Sequence, residues 1–271
     1  MVDLSRAQPA EARGTIREGG WNRPTTGVCS GYVQANLAIL PQDLAADFLA
    51  VCEANPRPMP LLDMTGPGDP HPRRVAPEAD LRSDLPRYSV YRWGRLSTQP
   101  TQVRDLWRDD LVAFLLGCSF TAEGKLLAAG VRLRHLELGQ NVPMFRTSLE
   151  VQPAGRFRGP LVVSMRPIRK DQLELARRVT AELPLAHGAP IQVGDPEQIG
   201  IADLSQPDWG DAILPLADEV PVFWACGVTP QALIMRAQPE LAITHAPGHM
   251  FITDVPDALI KRRAPALTAL L

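Results

Sequence analysis

The chain has 271 residues, of which 45% are hydrophobic, and its formal net charge is −2 at pH 7. This length can bury a large core as one domain or two smaller ones. The nearly neutral charge offers no broad positive field for a phosphate backbone, so nucleic acid is not an expected partner. No run of about 18 apolar residues and no apolar N-terminal stretch occurs, so we expect no membrane partner and a cytoplasmic location.

Cysteine and proline usage narrow the class further. Cys29, Cys52, Cys118 and Cys226 lie too far apart for a zinc cluster or a dense disulfide scaffold, which fits reduced thiols. We therefore expect neither a metal nor a cofactor. The 27 prolines are scattered along the chain, which predicts many short elements rather than a helical bundle.

The N-terminal part is predicted to hold few regular elements. Residues 1–20 are polar and are expected to lie loosely on the surface. A helix is predicted from Pro41 to Glu53, with a proline in its first turn and apolar residues on one face. A short strand at Met59–Met64 lies in the Pro/Gly-rich segment 55–85, whose length is typical of an active-site wall or of disorder.

The middle of the chain changes character twice. A strand is predicted at Tyr88–Trp93, followed by a helix at Thr101–Leu116, where apolar residues recur at helical spacing. A second helix is predicted at Thr121–Ala129. Two strands, at Val142–Val151 and Gly159–Met165, then read as a hairpin.

The remaining elements alternate between helix and strand. They are a helix at Asp171–Leu183, a strand at Pro190–Val193, a strand at Glu219–Trp224, a helix at Thr229–Met235, and strands at Leu241–Thr244 and Met250–Thr253. Such alternation predicts an α/β (mixed α+β) fold with a partly parallel sheet. We expect an outer α/β domain from residues 1–119 plus 206–271 and an inserted α+β domain from residues 120–205.

Glycine-flanked polar segments are the candidate binding residues. Gln34 and Asn36 lie two positions apart on an apolar stretch, as pocket hydrogen-bond donors or as satisfied core amides. Ser119 follows Gly117, where a helix start would hold a carboxylate, although a simple N-cap explains it as well. Arg166 stands at a strand end, suited to a carboxylate clamp or to a structural ion pair.

Cys226 and Gly227 follow a buried strand, just before a predicted helix with Thr229 as its N-cap. A thiol at a helix N-terminus has its thiolate favoured, whereas an inert buried cysteine is the commoner case. His245 and His249 flank a Pro-Gly pair that forbids the helix of a zinc motif, so an acid/base role suits them better.

The chain resembles the bacterial hydro-lyase family that is related to mitochondrial D-glutamate cyclase. The resemblance runs from about Arg17 to Asp254 and is carried by GYVQANLAILP, ADLRSDLPRYSVYR, LWRDDLVAFLLGCSF, NVPMF, GPLVVSMRP, HGAPIQVGDP, EVPVFWACGVTPQ and THAPGHMFITD. It implies a two-part α/β structure and the dehydration of D-glutamate to 5-oxo-D-proline. Two positions depart from the family pattern, where Tyr stands at Phe145 and Asn at Ser148, so a catalytic phenol at position 145 is not expected.

The implied reaction needs an anchor for a carboxylate and donors for an oxyanion. Our hypothesis is that Arg166 anchors a carboxylate, assisted by Ser119, Thr147 and Asn141. The backbone N–H groups around Gly227 would form the oxyanion pocket.

The reaction also needs proton transfer, which we assign to His245 or His249 with Cys226 or Asp195 as partner. The expected partner is a small-molecule carboxylate, and self-association is left open. Alternatives are a hydro-lyase acting on another small amino or hydroxy acid, a non-catalytic metabolite-binding subunit and, third, a metal hydrolase.

Overall fold

The computed structural model describes residues 2–261. Its α-helices are α1 (Pro9–Arg17), α2 (Gln42–Ala54), α3 (Phe120–Ala128), α4 (Arg134–Glu137), α5 (Leu173–Ala181) and α6 (Thr229–Ala237). Its strands are β1 (Tyr32–Pro41), β2 (Leu61–Met64), β3 (Tyr88–Arg92), β4 (Arg95–Thr98), β5 (Leu111–Gly117), β6 (Met144–Glu150), β7 (Pro160–Arg169), β8 (Gln192–Val193), β9 (Glu219–Ala225), β10 (Ala242–His245) and β11 (Phe251–Pro256).

Among residues 2–261 the strands form two sheets. The first sheet has the order β2-β5-β1-β10-β3-β4, with β11 also pairing with β1, and the second has the order β6-β7-β9-β8. Every pairing is antiparallel. The predicted mixed α+β class is confirmed, whereas the predicted partly parallel sheet is wrong because neighbouring strands run in opposite directions.

The predicted helix at Thr101–Leu116 is also wrong. Apart from a short 3-10 turn at Arg104–Leu106, its apolar part is the strand β5. Phe114 packs into the core between the sheets, while Leu115 packs into the core on the opposite face. A strand buried on both faces shows no polar alternation, so its apolar run imitates the spacing of a buried helix.

The N-terminal segment is more ordered than its composition predicts. Its helix α1 packs on β11 through Arg13, whose side chain is only 3% exposed. The Arg13 guanidinium donates to the Ile252 carbonyl at 2.9 Å and to the Asp254 carboxylate at 2.8 Å. The buried guanidinium of Arg13 thus holds this polar segment against β11. Hydrophobic periodicity in the sequence does not reveal such a contact.

The two sheets share one core, in which Phe114 of the first sheet and Val163 and Phe223 of the second belong to the same apolar cluster. Strand β9 lies in the second sheet, although the predicted domain boundary at residue 206 assigned it to the outer domain. The domain boundaries stay a prediction. Within residues 2–261 no helix combines the length and apolar content needed to cross a bilayer.

Candidate functional site

A narrow cavity lies where the two sheets meet. The polar groups in its wall come from distant parts of the chain and are Asn36, Cys118, Ser119, Asn141, Cys226 and the backbone of Gly227 and Gly248. Polar groups from distant parts of the chain that meet in one cavity mark it as the candidate site.

Two strand-to-helix junctions form opposite parts of the wall. One leads from β5 through Cys118 and Ser119 into α3, and the other leads from β9 through Cys226 and Gly227 into α6. The N–H groups of Ser119 and Gly227 meet no acceptor within residues 2–261. Free N–H groups at a helix start carry partial positive charge, so both junctions favour an anion in the cavity.

A buried network of the charged residues Arg166 and Glu123 with His135 lies behind the first junction. The Arg166 guanidinium donates to Oε1 of Glu123 through Nη2 at 2.5 Å and through Nε at 3.2 Å. The same oxygen lies 2.8 Å from Nε2 of His135. Burial opposes ionisation of Glu123, but the neighbouring Arg166 and His135 outweigh it and lower its pKa to about 2.

Arg166 also holds Ser119. Its Nη2 lies 3.1 Å from the Ser119 hydroxyl oxygen. A guanidinium has only donors, so the serine oxygen must accept this bond and its hydrogen is left to point elsewhere. Ser119 occupies the N-cap position of α3, but its side chain caps no backbone N–H. Arg166 itself is 2% exposed and does not line the cavity.

The amide of Asn36 connects the two junctions. Its Nδ2 donates to the Gly117 carbonyl at 2.6 Å, which leaves Oδ1 as the atom available to a ligand. The amide packs so closely on Gly227 that a Cβ at this position would lie 1.9 Å from Nδ2. Position 227 therefore requires glycine for close approach, although its φ is not positive.

The thiols at the two junctions are held neutral. Burial raises the pKa of Cys226 to about 11, and hydrogen bonding from Val228 and the charge of Arg166 offset this only in part. Burial likewise raises the pKa of Cys118. The expectation that the helix start favours a thiolate at Cys226 is thus not met, because burial raises the pKa of the thiol.

The profile of the D-glutamate cyclase family matches residues 112–254, which include both junctions and Arg166. The chain belongs to the D-glutamate cyclase family, a family of hydro-lyases. A protein named "Putative hydro-lyase" from Rubrobacter xylanophilus is 56% identical over 92% of this chain and 96% of its own length. Another of that name from Stutzerimonas stutzeri is 55% identical over 94% and 95%, respectively.

Among solved structures, a nitrogen repressor-like protein from Methanococcus jannaschii aligns with 89% of this chain and 92% of its own. The TM-score is 0.37 and the identity 12%. A likeness this low supports no statement about the fold or function of this D-glutamate cyclase family member.

Three predicted binding residues of this family member serve the scaffold rather than the cavity. Gln34 donates to the Thr25 and Val28 carbonyls at 2.9 and 3.1 Å. Thr147 donates to the Leu161 carbonyl at 2.8 Å. Thr229 donates to the Cys226 carbonyl at 2.7 Å, and the N-cap of α6 is Val228 rather than Thr229.

The three remaining predicted proton-transfer residues are not among the cavity-lining groups either. Asp195 is exposed and caps a 3-10 helix by accepting from the N–H of Glu197. His245 is buried in β10, where the Leu37 N–H donates to its Nδ1 at 3.1 Å, and burial lowers its pKa to about 4. The ring of His249 is hydrogen-bonded to the Pro247 carbonyl at 3.0 Å.

Sequence reasoning missed two members of the charge network. Glu123 stands four residues after Ser119, a spacing that places both on one face of a helix, so a charged residue there was a usable signal. His135 lies in a stretch where apolar and charged residues alternate, and nothing in that pattern marks the histidine.

Proposed function

We propose that this protein dehydrates D-glutamate to 5-oxo-D-proline inside the cavity between the two sheets. The observation that carries the proposal is the convergence of two helix starts, the Ser119 hydroxyl and the Asn36 amide on one small cavity. Membership of the D-glutamate cyclase family supports the choice of reaction. A ligand with both carboxylate and amino groups complements such donors and acceptors.

The chemistry sets three requirements. The amine must attack the side-chain carboxyl carbon, so one C–N bond forms and one C–O bond breaks. A carboxylate is a poor electrophile, so its developing negative charge must be stabilised by donors or by protonation. The amine must lose a proton and the departing hydroxide must gain one, giving water.

We assign the electrophilic role to the two junctions. The Gly227 N–H and the Ser119 hydroxyl donate to the carboxyl group, from the second and the first junction respectively. Arg166 acts through Ser119 and through its positive charge rather than by touching the substrate. Oδ1 of Asn36 accepts a hydrogen bond from the amine, which holds it near the carboxyl carbon.

The ammonium group passes its first proton to the side-chain carboxylate before the attack. The departing hydroxide then takes a proton from Cys226, which lines the cavity and is a neutral thiol at pH 7. The thiolate so formed takes the second proton from the nitrogen as the amide forms, which restores the thiol. Asn141 adds a further amide to the wall. The proposal gives no chemical step to Asp195, His245 or His249, because none of the three lines the cavity.

The test is incubation of the purified chain with D-glutamate, with chromatographic detection of 5-oxoproline and L-glutamate as a parallel substrate. We expect product from D-glutamate and a rate about 100-fold lower in Ser119→Ala. Ser148→Ala is the matched control, because Ser148 is exposed on β6 outside the cavity, and it should retain the wild-type rate. Absence of 5-oxoproline from the folded wild-type chain would overturn the proposal.

A further inference from the structure

We infer that Glu123 and His135 are positioning residues which fix the Ser119 hydroxyl as a hydrogen-bond donor toward the substrate, an inference that rests on the proposed dehydration. Neither residue lines the cavity. Both reach it through a chain of buried contacts that runs from His135 through Glu123 and Arg166 to Ser119.

The first step is the orientation of the guanidinium. Glu123 engages both Nε and Nη2 of Arg166, so the plane of the guanidinium is fixed by two bonds to one carboxylate oxygen. Nη2 donates its second hydrogen to the Ser119 hydroxyl oxygen, and Nη1 donates to the Ser164 hydroxyl oxygen at 3.1 Å. Without Glu123 the guanidinium would lose the contacts that aim Nη2 at the serine.

The second step is the direction of the Ser119 bond. Because Arg166 can only donate, its bond occupies the serine oxygen as an acceptor. The Ser119 hydroxyl donates to no acceptor within residues 2–261, and the side chain lies at the cavity wall. An incoming carboxylate is the acceptor that this arrangement lacks.

The third step is the anchoring of Glu123 itself. A carboxylate accepts only, so Nε2 of His135 carries the hydrogen in their 2.8 Å bond, and Thr26 donates to the other carboxylate oxygen at 3.0 Å. The Nδ1 of His135 is buried and has no hydrogen-bond partner within residues 2–261, which costs free energy. An apolar side chain would avoid this cost, so the imidazole is explained by the bond that it donates to Glu123.

Net stability does not explain why charged rather than apolar residues occupy these positions. A buried ion pair seldom repays the desolvation of both charges. The chain offers a matched comparison in Arg134 and Glu219, a second ion pair at 2.8 Å with 16% and 2% exposed side chains. That pair lies at the opposite end of β9 from Cys226 and reaches no cavity residue.

The experiment is a double-mutant cycle of Ser119→Ala and Glu123→Gln, measured as kcat and KM for D-glutamate. We expect Glu123→Gln to lower kcat by about tenfold or more in the wild-type background and by less than about threefold once Ser119 is alanine. Glu219→Gln should leave kcat unchanged. Equal losses from Glu123→Gln in both backgrounds would overturn the inference while leaving the proposed function intact.

Two further variants guard against a Glu123→Gln chain that does not fold. His135→Gln retains an N–H donor and should keep kcat within about threefold of wild type, whereas His135→Leu should lower it about tenfold. Full activity of His135→Leu would contradict the positioning role.

A readout without turnover is a crystal structure of the His135→Leu chain. We expect the 3.1 Å contact between Arg166 and Ser119 to lengthen beyond hydrogen-bond distance. An unchanged contact would overturn the inference, even if D-glutamate proved not to be the substrate.

Discussion

The two strand-to-helix junctions at the cavity are built alike but equipped differently. In each, a buried strand ends, a cysteine follows at once, and a nine-residue helix begins within three residues. The first junction carries a serine held by a buried ion pair, whereas the second carries a glycine pressed against Asn36. The first junction therefore presents a side-chain hydroxyl held by a charged residue, and the second presents a backbone N–H with no side chain in front of it.

This difference has a physical reason. A backbone N–H needs no support to hold its direction, but it requires that no side chain stand in front of it. A hydroxyl rotates freely and is a defined donor only if its oxygen is engaged by another donor. The first junction therefore depends on residues remote in sequence, and the second depends on the absence of a Cβ.

The largest expected loss of kcat distinguishes the thiol of Cys226 from that of Cys118. Cys226→Ser replaces the proposed proton donor with a much weaker acid, so kcat should fall by about 100-fold or more. Cys118→Ser changes the corresponding position of the first junction, to which the proposal gives no proton transfer, and kcat should stay within about threefold. Steady-state assays of both folded variants measure the two kcat values. Equal losses of kcat would contradict the role of Cys226 as the proton donor.

The next largest loss of kcat tests the role of the Gly227 backbone N–H. Gly227→Ala would place a Cβ 1.9 Å from Nδ2 of Asn36, so the amide or the junction must move. We expect a loss of about 100-fold in kcat. Gly124→Ala on α3 is the control, because a Cβ there meets nothing within 4 Å, and it should retain activity. Wild-type turnover in Gly227→Ala would show that the N–H at this position is not used.

A smaller effect tests the geometry of the guanidinium. Arg166→Lys keeps the positive charge but loses the fork that contacts Glu123, Ser119 and Ser164 together. We expect kcat to fall about tenfold with little change in KM. An unchanged kcat would mean that charge alone suffices at this position.

The last prediction concerns acid stability rather than turnover. The pKa of Glu123 is lowered to about 2 in the folded chain from an ordinary value of 4.5, so ionised Glu123 stabilises the fold above about pH 4.5. This contribution should be lost as the pH falls from about 4.5 through 2. Chemical unfolding across that range should show a steeper loss in wild type than in Glu123→Gln. Parallel curves would contradict the assigned ion pair.

The sequence indicated part of the cavity wall but not the sheet topology. Glycine-flanked polar segments marked Ser119 and Gly227, and Asn141 was assigned to the same pocket; the structure brings these three residues together. The partnership of Glu123 with Arg166 was not predictable, since it requires knowing that α3 faces β7. Strand β5 was misread because both of its faces are buried.

The most direct measurement is a crystal structure of the Cys226→Ser chain soaked with D-glutamate. We predict a carboxylate oxygen within about 3 Å of both the Ser119 hydroxyl oxygen and the Gly227 nitrogen, with the amine beside Asn36. D-glutamate bound elsewhere, or bound in the cavity with its carboxylates turned away from both junctions, would contradict the account.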